Sequence, residues 1–211
     1  MVVSHVGCPC PGHPAPEDDW RHVVSEVAPG LFVTGEPLGG DPGPLGEWER
    51  LGVELVVDLT DGGRPLARPS SIRRVWLPTP DDGSPRDPSW LAAVAAAGAQ
   101  PNVLVHCHMG VARAPSAAFL LLLGRGVDEI EAVTRVLTAR PIAAANYAAD
   151  VLRWHLQTLA GESPAADGRG VGRGQETRPD AGVERRVAAL EDHRLRLVAD
   201  HRERLLREAA G

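Results

Sequence analysis

A chain of 211 residues has room for one domain of roughly 150 residues plus an appendage, and not for two full domains. Hydrophobic residues at 43% and charged residues at 24% exclude wholesale disorder and fit a packed core under an ordinary polar surface. With 22 basic residues against 28 acidic ones the net charge is −6, which excludes binding through a long-range basic field, so nucleic acid is not an expected partner.

Residues 1–160 carry the whole imbalance, since residues 161–211 hold ten acidic and ten basic side chains. Any anionic ligand must be captured by a local device. Every basic residue is arginine, which we read as G and C bias in the coding DNA and hence a bacterial source. The three cysteines make no disulfide framework, and Cys8 and Cys10 are too close in sequence to bridge easily, so a reducing compartment is expected. The longest apolar run, Ala117 to Leu123, is far short of the roughly 20 residues a membrane span needs, and no basic region followed by an apolar stretch opens the chain. The expectation is a cytoplasmic protein with no membrane partner.

Residues 1–25 are expected to be an irregular lead-in, dense in proline and glycine. Cys8, Cys10 and His13 lack a fourth ligand at the usual spacings, so no metal site is read there. From residue 26 the pattern turns α/β. Leu31-Phe32-Val33, ending at Gly35, reads as a strand, Leu45 to Leu51 as a short helix and Val53 to Leu59 as a β-branched buried strand. Arg74 to Leu77 is another strand, and Pro88 to Gly98 an alanine-rich helix with proline in its first turn and Asp87 at its N-cap. Val103 to His106 is a third buried strand, followed by an apolar helix from Ala114 to Leu123. Two further helices, Asp128 to Thr138 and Asn146 to Leu159, flank Arg140-Pro141. The alternation predicts a central, mostly parallel sheet with helices on its faces over residues 26–160.

Residues 161–182 have almost no large apolar group and read as a flexible linker. Residues 183–211 read as a charged amphipathic helix with Val187, Leu190, Leu197, Leu205 and Leu206 among pairs such as Asp200/Arg204 and Glu203/Arg207. Arg194 and His201 break the apolar seam, so no coiled coil is expected. Docking on its own domain and self-association both remain open for this helix.

The chemistry lies between the strand Val103 to His106 and the helix that follows it, in His106-Cys107-His108-Met109-Gly110-Val111-Ala112-Arg113. A loop there can turn successive N–H groups inward around an anion, the helix dipole adds positive potential, and Gly110 permits φ values that other residues resist. Arg113 offers a planar fork for two phosphate oxygens. The same electropositive loop favours a thiolate at Cys107, where an electrophilic phosphorus would sit. His108, Met109, Gly110, Val111, Ala112 and Arg113 are thus the candidate phosphate-binding residues.

With its fixed positions at His106, Cys107, Gly110 and Arg113, the segment resembles the signature of the cysteine-based protein tyrosine phosphatases, most closely the compact dual-specificity type. The resemblance runs from Glu26 to Leu159, taking in Pro29-Gly30-Leu31-Phe32 and the later Arg140-Pro141 with Asn146. It implies a dual-specificity phosphatase-like fold, a phosphorylated protein or small molecule as substrate partner, a cysteinyl-phosphate intermediate, and no metal or other cofactor. It also implies a general acid on a loop before the signature. In Pro78-Thr79-Pro80-Asp81-Asp82-Gly83-Ser84-Pro85, Asp81 is the choice, 26 residues before Cys107, and Asp82 the alternative; both could instead be turn formers.

His106 is expected to orient its neighbour, since its side chain alternates away from that of Cys107. His108 could contact substrate at the pocket mouth. Asn146 and Tyr147 read as packing or supporting residues, Arg64, Arg73 and Arg74 as surface, and the five tryptophans as core or amphipathic anchors. Two other readings stay in view. A rhodanese-like sulfurtransferase also uses a cysteine loop at a helix N-terminus, but the preceding histidine, the five-residue gap to Arg113 and the Pro-Asp loop count against it. A non-catalytic phosphate-recognition module is the other, suggested by Ala114.

The family has serine or threonine directly after the arginine, where a hydroxyl stabilises the departing thiolate; this chain has Ala114, and Ser116 two residues on. An aryl phosphate is therefore expected to give a stopped-flow burst followed by slower turnover, and Ala114→Ser to speed the second phase. Equal second-phase rates in the two proteins would contradict this.

Overall fold

A computed structural model describes residues 3–4, 18–36, 43–62, 70–161 and 180–210. Its strands are β1 (Val3–Ser4), β2 (Asp18–Asp19), β3 (Ser25–Ala28), β4 (Leu31–Gly35), β5 (Leu55–Asp58), β6 (Arg73–Trp76) and β7 (Val103–Cys107). Its helices are α1 (Gly43–Arg50), α2 (Pro88–Ala97), α3 (Arg113–Gly124), α4 (Glu129–Ala139), α5 (Ala148–Leu159) and α6 (Ala181–Ala210).

The five-stranded sheet runs β3-β4-β7-β5-β6; β3 is antiparallel to β4 and all other pairs are parallel. It is a mixed, mostly parallel sheet flanked by helices, the α/β fold expected. β7 is central and β-branched, and Val103, Leu104 and Val105 are buried because both faces are covered. Two features differ from the expected elements. β3 carries no apolar run and is held at the sheet edge by its pairing with β4. The lead-in is not wholly irregular, since β1 and β2 pair in parallel over two residues each. So short a ladder needs only a few backbone bonds and leaves no periodicity to read. Cys8, Cys10, His13, Arg64 and most of the expected linker lie outside the described residues.

Strand alternation sends successive side chains to opposite faces. Phe32, Val56 and Leu104 meet Leu45 and Trp48 of α1. Val33, Val57, Val105 and Cys107 face the larger core built with α2 to α5. Asp87 caps α2, its Oδ1 accepting from Ser89 N at 2.7 Å. Asp128 caps α4 in the same way through Ile130 N at 3.0 Å. The N-terminus of α3, by contrast, has no side-chain cap, so its first amides are left to other partners. The register pairs Gly35 with Cys107 and Asp58 with both His106 and Trp76. Four parallel strands therefore end together, and the loop after β7 sits at their carboxyl edge, the usual ligand side of such sheets.

α6 lies against α4 and α5 of this same chain. Val187 and Leu190 are buried in the larger core, with Leu197 packed at its border. Arg194 and His201, which interrupt the heptad, are themselves buried. Among the described residues no helix is long and apolar enough to cross a membrane. Replacing the fully buried Leu190 by alanine is expected to cost about 2–5 kcal/mol of unfolding free energy in urea titrations. Leu195→Ala on the same helix, at a residue 57% exposed, should stay within about 0.5 kcal/mol; similar small losses in both would contradict the docking.

Candidate functional site

Cys107 ends β7 and is buried, with a free thiol. The loop from His108 to Ala112 then curls into the N-terminus of α3, and each of its first four carbonyls is held from outside. His108 O accepts from Glu36 N at 2.9 Å. Met109 O and Gly110 O accept from Arg140 Nη2 at 3.1 Å and Nε at 2.6 Å. Val111 O accepts from the amides of Ala144 at 2.8 Å and Ala145 at 3.2 Å. Every peptide bond described is trans, so the N–H of each unit points opposite its carbonyl. The amides of Met109, Gly110, Val111 and Ala112 are thereby turned to the inside of the loop, where no described group accepts from them.

Arg140 is completely buried, and its guanidinium also donates to Trp20 O at 2.7 Å and Val23 O at 2.8 Å. Its charge is tolerated because backbone carbonyls surround it. Gly110 has φ +68°, and a Cβ there would lie 2.5 Å from Arg140 Nη2 and 2.8 Å from the backbone carbon of Thr34. Close approach as well as conformation therefore restricts this position to glycine. Arg21 adds a further hold, donating to Met109 Sδ at 3.3 Å.

Arg113, the first residue of α3, is buried with Nη1 directed at Thr79 O (2.8 Å), Leu59 O (3.2 Å) and Asp61 Oδ1 (2.9 Å). Its Nε takes no hydrogen bond among the described residues and lies 3.5 Å from Asp81 Oδ2. With Nη1 anchored, the Nε–Nη2 edge is left as the bidentate fork that matches a phosphate.

The loop that carries the two aspartates is organised by a buried arginine. Arg86 donates from Nη1 to Thr79 Oγ1 at 2.6 Å and Pro80 O at 2.7 Å, and from Nε to Ser84 O at 3.1 Å. Its guanidinium carbon stands 4.0 Å from the centre of the Tyr147 ring. The Tyr147 hydroxyl donates to Asp81 Oδ1 at 2.8 Å. Burial, and then this bond to Asp81, push the phenol above its ordinary value, so it stays a donor. Asp82 turns away: its Oδ1 accepts from Ser84 Oγ at 2.6 Å and Ser84 N at 2.9 Å, bonds that hold its carboxyl below the usual carboxylate range. The structure thus brings Asp81, and not Asp82, to Arg113.

His106 lies on the opposite face from Cys107, its ring centroid 6.1 Å from that of Trp48. Its Nε2 is 3.7 Å from Asp58 Oδ1, and Asp58 also accepts from Thr60 and Arg74. Arg74 is therefore tied into this network rather than free on the surface. His108 is exposed and pairs through Nδ1 with Glu36 Oε2 at 3.0 Å. Ala114 is buried in the same cluster as Cys107, and the Ser116 hydroxyl is committed elsewhere, donating to Ala112 O at 2.8 Å and accepting from Tyr147 N at 3.1 Å. Position 114 itself therefore brings no hydroxyl to the end of the loop. Three contributors escaped the sequence reading: Arg140, Arg86 and the bond from Tyr147 to Asp81. The only local signal was the Arg140-Pro141 pair, noted as a flanking match with no role attached.

No protein-family model matches the chain, and no curated protein matches it. Among solved structures, human DUSP28 superposes with a TM-score of 0.56 at 22% identity, over 69% of this chain and 98% of that one. A mouse putative dual specificity phosphatase complexed with zinc tungstate gives 0.51 at 25% identity, over 65% and 90%. P. aeruginosa TpbA in complex with pTyr gives 0.52 at 20% identity, over 71% and 98%. The fold is that of the compact dual-specificity type within the cysteine-based protein tyrosine phosphatase superfamily.

Burial holds His106 below the ordinary imidazole value, with Asp58 pulling the other way. A histidine that folds neutral binds fewer protons than it does unfolded, so stability should be full above about pH 6.5 and fall as the pH drops below it. Urea unfolding from pH 7.5 down to 5 should show that loss, and His106→Gln should reduce its slope; an unchanged slope would contradict the assignment.

Proposed function

We propose that this chain, with its dual-specificity phosphatase fold, is a phosphomonoester hydrolase that works through a cysteinyl-phosphate and acts on phosphorylated proteins or small molecules. One observation supports the reading: the four carbonyls that follow Cys107 are all held by outside donors, which frees the amides of Met109 to Ala112, and Arg113 at the end of that loop lies 3.5 Å from Asp81. The tungstate of the mouse neighbour, a tetrahedral oxyanion, supports a phosphate-shaped ligand in that fold.

In the first step the Cys107 thiolate attacks phosphorus, the bond to the leaving oxygen breaks, and Asp81 gives that oxygen its proton. The amides of Met109 to Ala112 and the Arg113 fork take up the charge on the equatorial oxygens. In the second step water loses a proton to Asp81 and attacks phosphorus, the sulfur–phosphorus bond breaks, and inorganic phosphate leaves with the thiolate restored. Tyr147 and Arg86 keep the Asp81 loop closed against Arg113, and His108 with Glu36 stands at the loop's outer side. Among the described residues no side-chain hydroxyl is shown donating to Cys107 Sγ: position 114 is alanine and Ser116 is occupied. That observation also favours a second reading, a phosphate-recognition module with little turnover.

Hydrolysis of p-nitrophenyl phosphate decides between them. The wild type should turn over and Cys107→Ser should lose at least about a thousandfold. Asp81→Asn should lose about 10²–10⁴-fold in kcat on substrates with poor leaving groups, with a smaller loss on aryl substrates. Tyr147→Phe should follow the same leaving-group trend more weakly, and Asp82→Asn should change little. Wild-type protein that binds phosphate without turnover would favour the recognition module, and Asp82→Asn acting like Asp81→Asn would overturn the assignment of the acid.

A further inference from the structure

α6 is fastened to the domain by three arginine contacts, and one of them leads to the phosphate loop. Arg153 pairs with Glu184 at 2.7 and 3.1 Å, tying the start of α6 to α5. Arg186 pairs with Glu129 at 2.7 and 2.8 Å, tying it to α4. Arg194 does something else. It is 7% exposed, its Nε and Nη2 are held by Glu191 at 2.9 and 2.5 Å, and its Nη1 donates to the carbonyl of Ala144 at 2.6 Å.

That carbonyl belongs to the peptide unit whose N–H, on Ala145, donates to Val111 O at 3.2 Å, and the Ala144 N–H reaches the same oxygen at 2.8 Å. Arg194 therefore grips and polarises a group that fixes the last outward carbonyl of the loop. Ala145 has φ +48°, a left-handed conformation that costs a non-glycine residue energy and persists where its surroundings impose it. The Val111–Ala112 unit presents the Ala112 amide at the start of α3, so one peptide unit, Ala144–Ala145, separates Arg194 of the docked helix from the Val111 carbonyl.

We propose that Arg194 is a positioning residue for the phosphate loop, which makes the docked α6 a working part of the site. This rests on the reading that the loop binds phosphate. Loss of the Arg194 bond frees the Ala144–Ala145 unit and lets the Val111 carbonyl swing, so the Ala112 amide is no longer preorganised. The bonds described for the other two arginines do not reach the Arg140–Tyr147 segment, so they should not transmit to the Val111 carbonyl in this way.

The test uses the full chain, with inorganic phosphate as a competitive inhibitor of p-nitrophenyl phosphate hydrolysis and thermal midpoints recorded alongside. Arg194→Met, which keeps an apolar stem but no donor, should raise the phosphate inhibition constant and KM about fivefold, the weight of one ordinary hydrogen bond. Arg153→Met and Arg186→Met should leave both constants within about twofold whatever they cost in melting temperature. Glu191→Gln, which leaves Arg194 in place with a weaker partner, should shift the inhibition constant the same way by less, and it stands in if Arg194→Met does not fold. Inhibition constants unmoved in the Arg194 and Glu191 variants, or moved equally in the two control variants, would overturn the proposal. Wild-type protein that neither hydrolyses the ester nor responds to phosphate would instead overturn the phosphatase reading beneath it.

Discussion

The site depends on one constraint, the planarity of the trans peptide. A loop can present a row of N–H groups to an anion only if the carbonyls of the same units face the other way and are satisfied there. Here a backbone amide, a buried guanidinium and two further amides hold the carbonyls of residues 108 to 111. The cost of burying Arg140 is offset by carbonyls drawn from the N-terminal segment and from the loop itself, which a neutral side chain could not satisfy together. The inward row of amides is then a consequence of what surrounds the loop, and the acidic net charge of the domain matters little at that range.

The segment from Arg140 to Tyr147 does much of this organising. It supplies the guanidinium under the loop, the amides that take Val111 O, the backbone N–H that occupies Ser116, and the phenol that holds Asp81. Phosphate loop and acid loop, some 25 residues apart in the chain, are both referenced to this one stretch. α4 ends directly before it and α5 begins directly after it, both packed in the larger core, and Arg194 of α6 grips its middle. The Cys107 loop and the Asp81 loop are for that reason mechanically linked, with Arg86 as the second buried arginine, holding the Asp81 loop together.

How far the sequence discloses this depends on the range of each interaction. Cys107, Gly110 and Arg113 were legible because strand, glycine turn and helix start are adjacent in the chain, and local spacing carries the geometry. The buried strands were legible from β-branched runs, and α2 from its Pro88 start and Asp87 cap. β3 was not, because Ser25 to Ala28 has no periodicity of its own and is recruited by β4. The burial of Arg140, Arg86 and Arg194 was not legible, since the groups that hold them come largely from other segments, as far as 120 residues away for Trp20. Asp81 was the choice over Asp82 from its place in the Pro-Asp loop, and the contacts of Tyr147 and Ser84 set the two apart in the structure. Arg194 looked like a flaw in a helical seam; its burial against Ala144 gives the break a reason.

The most direct test is an amide chemical-shift titration of the ¹⁵N-labelled chain with inorganic phosphate. The account predicts that the backbone resonances of Met109, Gly110, Val111 and Ala112 and the Arg113 Nε–H move together with one dissociation constant. Phosphate that moves other resonances and leaves these unperturbed would contradict it.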